Sequence, residues 1–185
     1  MSVVQEKITT WQIDRAHTQV GFAVRHLMIS TVRGHFSDVS GTLSVPHGDF
    51  AQAQLEARIG VASIDTREPQ RDGHLKSADF FDAERYPEMT FKSRSVEPAR
   101  SGDGRYLVTG DLTLRGVTRE IVLDAVFEGE GKDPRGNNRA GFSASGKINR
   151  KDFGLTWNQL LEAGGVAVGD EVKISIDAEV VAQAA

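Results

Sequence analysis

Residues 105–128, RYLVTGDLTLRGVTREIVLDAVFE, decide the fold. Tyr106, Val108, Gly110, Leu112 and Leu114 alternate with Leu107, Thr109, Asp111, Thr113 and Arg115. Beyond Arg115-Gly116, Ile121, Leu123, Ala125 and Phe127 alternate with Val122, Asp124, Val126 and Glu128. A period of two sends successive side chains to opposite faces, so each run reads as a strand with one apolar and one solvated face. So short a connection makes the two strands antiparallel neighbours.

The same period extends in both directions. Val20, Phe22 and Val24 carry it upstream, as do Leu55, Ala57, Ile59 and Val61, and then Met89 and Phe91. Phe142, Ala144, Gly146 and Ile148 carry it downstream, followed by Val172, Ile174, Ile176, Ala178 and Val180. With 32–45 added, eight strands are predicted near 20–26, 32–45, 53–64, 89–97, 105–114, 117–128, 139–148 and 171–182. Gly102-Asp103-Gly104 and the Gly-, Asn- and Asp-Pro-containing run 129–138 supply turn chemistry. Two segments break the pattern. In 66–86, Pro69 suits a first helical position and a short helix is predicted over 71–77. In 149–170, one helical turn is predicted near 150–153; a connection of that length is commonly a lid over a cavity mouth.

The chain has 185 residues, with 22 Lys+Arg against 26 Asp+Glu and a formal net charge of −4. Hydrophobic residues make up 39% and charged ones 26%, the balance of a folded globular domain. The acidic excess argues against nucleic acid as a partner. Cysteine is absent, which excludes disulfides, thiolate metal sites and thiol nucleophiles. The start MSVVQEKITT has no basic-then-apolar leader pattern, and no window reaches the ~18 apolar residues of a membrane span. A cytoplasmic protein is therefore expected, with a flexible segment over 1–10, a single domain over 11–182 and a frayed tail.

The fold class is all-β. Eight one-faced antiparallel strands make either a two-layer sandwich or a closed barrel, and closure removes exposed edges. A barrel of eight is just wide enough to be plugged by side chains or to hold one ligand. Gly110, Ala125, Ala144, Gly146 and Ala178 share the apolar face with much larger residues. If the small ones cluster, a cavity remains; if they interdigitate with the large ones, the core is filled. Alternation leaves both open.

Five stretches in order resemble the signatures of the YceI-like, polyisoprenoid-binding family. They are DRAHTQVGFAVRH at 14–26 with RGHF at 33–36, SIDT at 63–66 with RDGHLKSADFFD at 71–82, YPEMTFKS at 86–93, GDLTLRGVT at 110–118, and INRKDFGL at 148–155. The resemblance runs from about Trp11 to Val181. It implies an eight-stranded antiparallel, lipocalin-like β-barrel, with the short helix after the third strand and the long loop before the last. The implied ligand is a long isoprenoid amphiphile of polyprenyl phosphate or quinone type, held in the barrel with no other cofactor. Members of the family can dimerise, and many are periplasmic with a leader.

On this reading Phe22, Val24, Val108, Leu112, Leu123, Phe142, Ile174 and Ile176 line the interior. Arg67, Arg71 and His74, with Lys76, are the head-group candidates, set against a solvated helix face balanced by Glu68 and Asp72. Arg25-His26 with Arg33 and His35 could form a basic rim on the first hairpin. No metal site is expected: His17, His26 and His35 lie nine apart, an odd spacing that alternates strand faces. His17 and His26 are expected to fix local hydrogen bonds, with Asp14 a partner. Nucleophile elbows, P-loops and dinucleotide fingerprints are missing. Asp79 and Asp82 read as capping carboxylates of a turn rather than as an acid–base pair, and Trp157 as an anchor of the last connection. A binding protein without catalysis is the leading expectation. An enzyme acting on a small amphiphile and a scaffold for a protein partner are the alternatives.

Overall fold

The structure is a computed structural model that describes residues 7–184. Bends divide the expected strands into eleven: β1 (Ile8–Ile13), β2 (Gln19–His26), β3 (Ser30–Phe36), β4 (Val39–Pro46), β5 (Gln54–Gly60), β6 (Ile64–Asp65), β7 (Glu88–Pro98), β8 (Arg105–Leu114), β9 (Val117–Lys132), β10 (Asn138–Asn149) and β11 (Val168–Ala182). β1 with β2, β3 with β4, and β5 with β6 form three bent staves. Every pairing is antiparallel, each stave lies beside the next in sequence, and β1 pairs with β11 to close the ring. The long β11 makes the closure along its whole length: its first part pairs with β2 and its last residues with β1. The result is a closed eight-stave, up-and-down barrel.

The flexible segment expected over 1–10 needs correction at its end. Ile8, Thr9 and Thr10 belong to β1, opposite Pro46, Val45 and Ser44 of β4. Residues 1–6 lie outside the described residues. The bends are made by polar side chains. Asp14 accepts from the Ala16 backbone N–H at 3.0 Å and starts the short helical turn Arg15–His17 between β1 and β2. Ser63 Oγ accepts from the backbone N–H groups of Ser37 and Asp38 at 3.2 and 3.0 Å, fixing the break between β3 and β4.

One end of the barrel is shut. Phe50, on a helical turn between β4 and β5, lies 5.1 Å from Phe127 and 5.6 Å from Phe142, ring centre to ring centre. Trp11, Val45, Ala140 and Val180 complete this buried plug. The other end carries the β2–β3 hairpin tip, the segment between β6 and β7, and the connection from β10 to β11. Helix α1 (Pro69–Lys76) lies in the second of these, with Pro69 at its first position as predicted. It begins two residues before the predicted 71 because the Glu68 side chain accepts from the Gln70 N–H at 3.1 Å and caps it. The predicted turn near 150–153 is present as Arg150–Phe153, stopped by Gly154 at φ 78°. No helix among the described residues is long and apolar enough to cross a membrane.

Candidate ligand-binding cavity

Two cavities are stacked along the barrel axis. The upper one, of about 430 Å³, lies under the open end; the lower one, of about 200 Å³, lies above the aromatic plug. They share Val20, Ile59, Leu112 and Ile174 as walls, so they meet end to end. All eight lining residues expected from the sequence face this space. Phe22 and Val24 line the upper cavity, and Leu112 and Ile174 both. Val108, Leu123, Phe142 and Ile176 line the lower.

The small residues of the apolar face divide between the two outcomes that alternation left open. A Cβ on Gly110 would stand 2.4 Å from the Phe91 ring, and one on Gly146 would stand 2.8 Å from Leu123, so these two are filled by larger neighbours. Ala125, Ala144 and Ala178 line the lower cavity instead. Small residues on three strands thus leave the void that long ones would fill. Among its lining residues only Thr18, Tyr106 and Ser143 carry a polar side chain. An apolar void of this order (~150 Å³ is a known example) stays dry and accepts an apolar guest.

The mouth is different. Arg71 donates through Nε and Nη2 to the hydroxyl and carbonyl of Thr66, both at 2.8 Å, and Asp72 accepts from the same hydroxyl at 2.6 Å. Buried Thr66 therefore ties α1 to β6 and aims Arg71 at the upper cavity. His74 lies edge-on to Phe80 and Trp157, at 5.1 and 4.8 Å, with its Nε2 2.8 Å from Asp79. Arg67 does not join them: it is exposed, in a left-handed conformation, and its backbone N–H donates to Asp65. The reading of Asp79 as a cap is corrected, since its carboxylate partners His74. Trp157 does anchor the last connection, against His74 and Phe80.

Arg150 escaped the sequence reading. It is 3% exposed and lines the upper cavity. Its guanidinium donates to the carbonyls of Gly169, Leu155, Trp157 and Val168 at 2.6–3.2 Å, four bonds that shape the connection over the mouth. Burial lowers its pKa, opposed by Asp170 at 3.7 Å. Nothing in the sequence singled it out from Lys151 beside it, between apolar Ile148 and Phe153. The upper cavity's lining as a whole contains Arg25, Arg71 and Arg150, His26 and His74, and no carboxylate.

A second polar cluster lies on the outer wall near the shut end. Ligand-type atoms of Asp14, His17 and Glu179 fall within 4.8 Å of one another. The place a cation would take holds Arg139, whose Nη1 is 2.6 Å from both carboxylates and whose Nε is 2.8 Å from Asp133. Arg139, with His17, lowers the Asp14 carboxyl to about 2, and Asp14 in turn raises the His17 imidazole. His17 Nδ1 is 2.9 Å from Asp14, the local bond expected of it.

A closed antiparallel barrel, plugged at one end, apolar inside and open at a polar mouth, has the lipocalin-like architecture. The chain belongs to the YceI-like family: a YceI-like domain matches residues 11–180. A UPF0312 protein of Photorhabdus laumondii is 46% identical over 137 residues, covering 74% of this chain and 70% of its own. A UPF0312 protein of Staphylococcus aureus is 37% identical over 173 residues, covering 93% and 97%. Among solved structures, Burkholderia cenocepacia BcnA is 25% identical, covers 90% of this chain and 98% of its own, and superposes with a TM-score of 0.77. The YceI protein of Campylobacter jejuni is 35% identical over 86% of this chain and 90% of its own, with a TM-score of 0.70. A polyisoprenoid-binding domain from Saccharophagus degradans, 15% identical, shares the fold at a TM-score of 0.65 over 97% of this chain and 100% of its own.

Proposed function

We propose that this protein binds and carries, or sequesters, a long-chain isoprenoid amphiphile, without catalysis. Family membership and the named activity of the Saccharophagus degradans domain support an isoprenoid. The tail would thread from the upper cavity into the lower, and its burial supplies the affinity. Each isoprene unit has about five carbons and is worth at most ~4 kcal/mol gross when buried.

The observation that carries the choice of head group is the composition of the mouth. Its arginines and histidines, with no carboxylate among the lining residues, favour an anionic head such as a polyprenyl phosphate. Arg71 is the residue best placed to meet it, with His74 beside it. The aromatic trio His74, Phe80 and Trp157, with the imidazole edge-on to both other rings, favours a second reading, a quinone ring packed against these aromatics.

Native mass spectrometry of the purified protein, followed by solvent extraction, tests the proposal. A stoichiometric adduct that releases a prenyl chain is expected. An apo mass, together with failure to bind either a short prenyl phosphate or a short-chain quinone, would overturn it. Competition between those two probes decides the head group. Arg71→Gln should weaken the phosphate and leave the quinone unchanged.

A further inference from the structure

The open end of the barrel carries apolar side chains that nothing among the described residues covers. Met28, Ile29 and Leu160 are 57%, 78% and 83% exposed, the last two being the most exposed of the large apolar residues described. They come from different elements but lie together. Leu27 N–H donates to the Ala167 carbonyl at 2.9 Å, a Cβ on Gly165 would be 3.8 Å from Met28, and Leu160 pairs with Val166, next to Gly165. Leu27, next to them, already lines the upper cavity, so the patch is continuous with its mouth.

Folding does not account for these residues. The hairpin tip is a turn closed by Ile29 N–H donating to His26 C=O at 3.1 Å, and its central residues Leu27 and Met28 have φ of 51° and 61°. Such left-handed positions favour Gly, Asn and Asp. This chain places two large apolar residues there and leaves Met28 unburied.

The charge around the tip identifies the occupant. The tip-proximal ends of β2 and β3 carry Arg25, His26 and Arg33, and neither strand contains an Asp or Glu, in a protein whose net charge is −4; the loop between Leu160 and Ala167 adds one carboxylate, Glu162. Arg25 braces the tip through the Met28 carbonyl at 3.0 Å and Thr31 Oγ1 at 3.2 Å. Arg33 stands on the outer face of β3, across from Ala23. An apolar crown on a cationic collar matches an anionic lipid surface, where apolar side chains insert and basic ones meet the head groups. We infer that the hairpin tip and Leu160 dock the open end of the barrel onto anionic bilayers, so that a tail can pass from lipid to cavity without crossing water. The purpose rests on the isoprenoid reading; the docking itself does not.

Sedimentation with vesicles tests the docking, using phosphatidylcholine alone and phosphatidylcholine mixed equally with phosphatidylglycerol. The apo protein is expected to pellet with the mixed vesicles and not with the neutral ones, and to be released by salt. Met28→Gly combined with Ile29→Ser and Leu160→Ser should cut binding about tenfold or more. Its thermal midpoint should equal or exceed that of the parent, since glycine suits the left-handed turn. Arg33→Gln, a single exposed change that keeps the tip intact, should cost about fivefold in binding. Failure of the parent to pellet with mixed vesicles overturns the inference, as does undiminished binding by the triple variant. A dimer that the triple variant disperses, without vesicle binding, overturns it in favour of a second copy of this chain. Binding of a short prenyl phosphate to the triple variant in plain buffer separates the two readings: a filled cavity with no docking sinks only this inference.

Discussion

Gly110 shows how closely single residues set the cavity. Its missing side chain lets the Phe91 ring lie across β8, and an added Cβ would also stand 2.6 Å from the Lys92 carbonyl, which cannot swing away. Gly110→Ala should therefore destabilise the protein by about 1–3 kcal/mol through overpacking, read as a lower urea midpoint with an unchanged slope. Arg150 works in the opposite sense, by satisfying carbonyls. Arg150→Met keeps the volume but removes the guanidinium donor from the carbonyls of Leu155, Trp157 and Gly169, while Val168 keeps Asn158 Nδ2 at 2.7 Å. A loss of about 2–4 kcal/mol is expected, with faster amide exchange confined to 155–168. The two residues differ in legibility. Gly110 stood in an alternating run, so its inward direction could be read, though not which neighbour would fill it. Arg150's partners lie up to nineteen residues away, on a connection with no regular pattern, so nothing local marked it as the organiser of the mouth.

Among the elements, the bent staves are where local pattern and structure part. Period two located the faces of β2, β5 and the strands from β7 onward, which are unbroken. The break between β3 and β4 depends on Ser63, some 25 residues further on, a coupling that no window of alternation contains. β1 was missed because Ile8, Thr10 and Gln12 against Thr9, Trp11 and Ile13 mix the two classes; only pairing with both β4 and β11 makes it a strand. The bend from β1 to β2 is held to β10 and β11 by Asp14, His17, Arg139 and Glu179, which gives this corner a pH dependence. Asp14 has a folded pKa of about 2 against an ordinary 3.8, so its contribution is complete above 3.8 and is lost as pH falls towards 2. His17 is raised above its ordinary 6.5, so its contribution is complete below 6.5 and is lost as pH rises through the folded value. Urea midpoints measured from about pH 8 down to about pH 6 should rise slightly in the parent and stay flat in His17→Ala. The difference should shrink in molar salt, because His17 is well exposed. A parent profile as flat as the variant's would show that the contact does not persist in solution.

For the whole molecule, the closed ring makes tail length the property on which the container idea is most exposed. At ~4 kcal/mol gross per isoprene unit, four or five units already approach the ~20 kcal/mol ceiling of non-covalent binding. Ordering of the tail and imperfect packing absorb further gains, so affinity should climb over the first few units and then level. The position of that plateau should depend on the lower cavity, because the plug at Phe50, Phe127 and Phe142 ends the available path. Ala144 lies between Ala125 on β9 and Ile176 on β11 and faces the lower cavity. Ala144→Leu puts an isobutyl group into the space a deep tail would occupy. Calorimetric titration with prenyl phosphates of rising length should show the variant levelling at shorter chains than the parent. Affinity for the shortest probe should stay within about twofold, since that ligand is held by the mouth and upper cavity alone. Equal loss at every length would mean that the substitution disturbs the barrel as a whole. An unshifted plateau would mean that the tail does not reach below the shared walls at Leu112 and Ile174, and the lower cavity would then be a packing defect rather than part of the site.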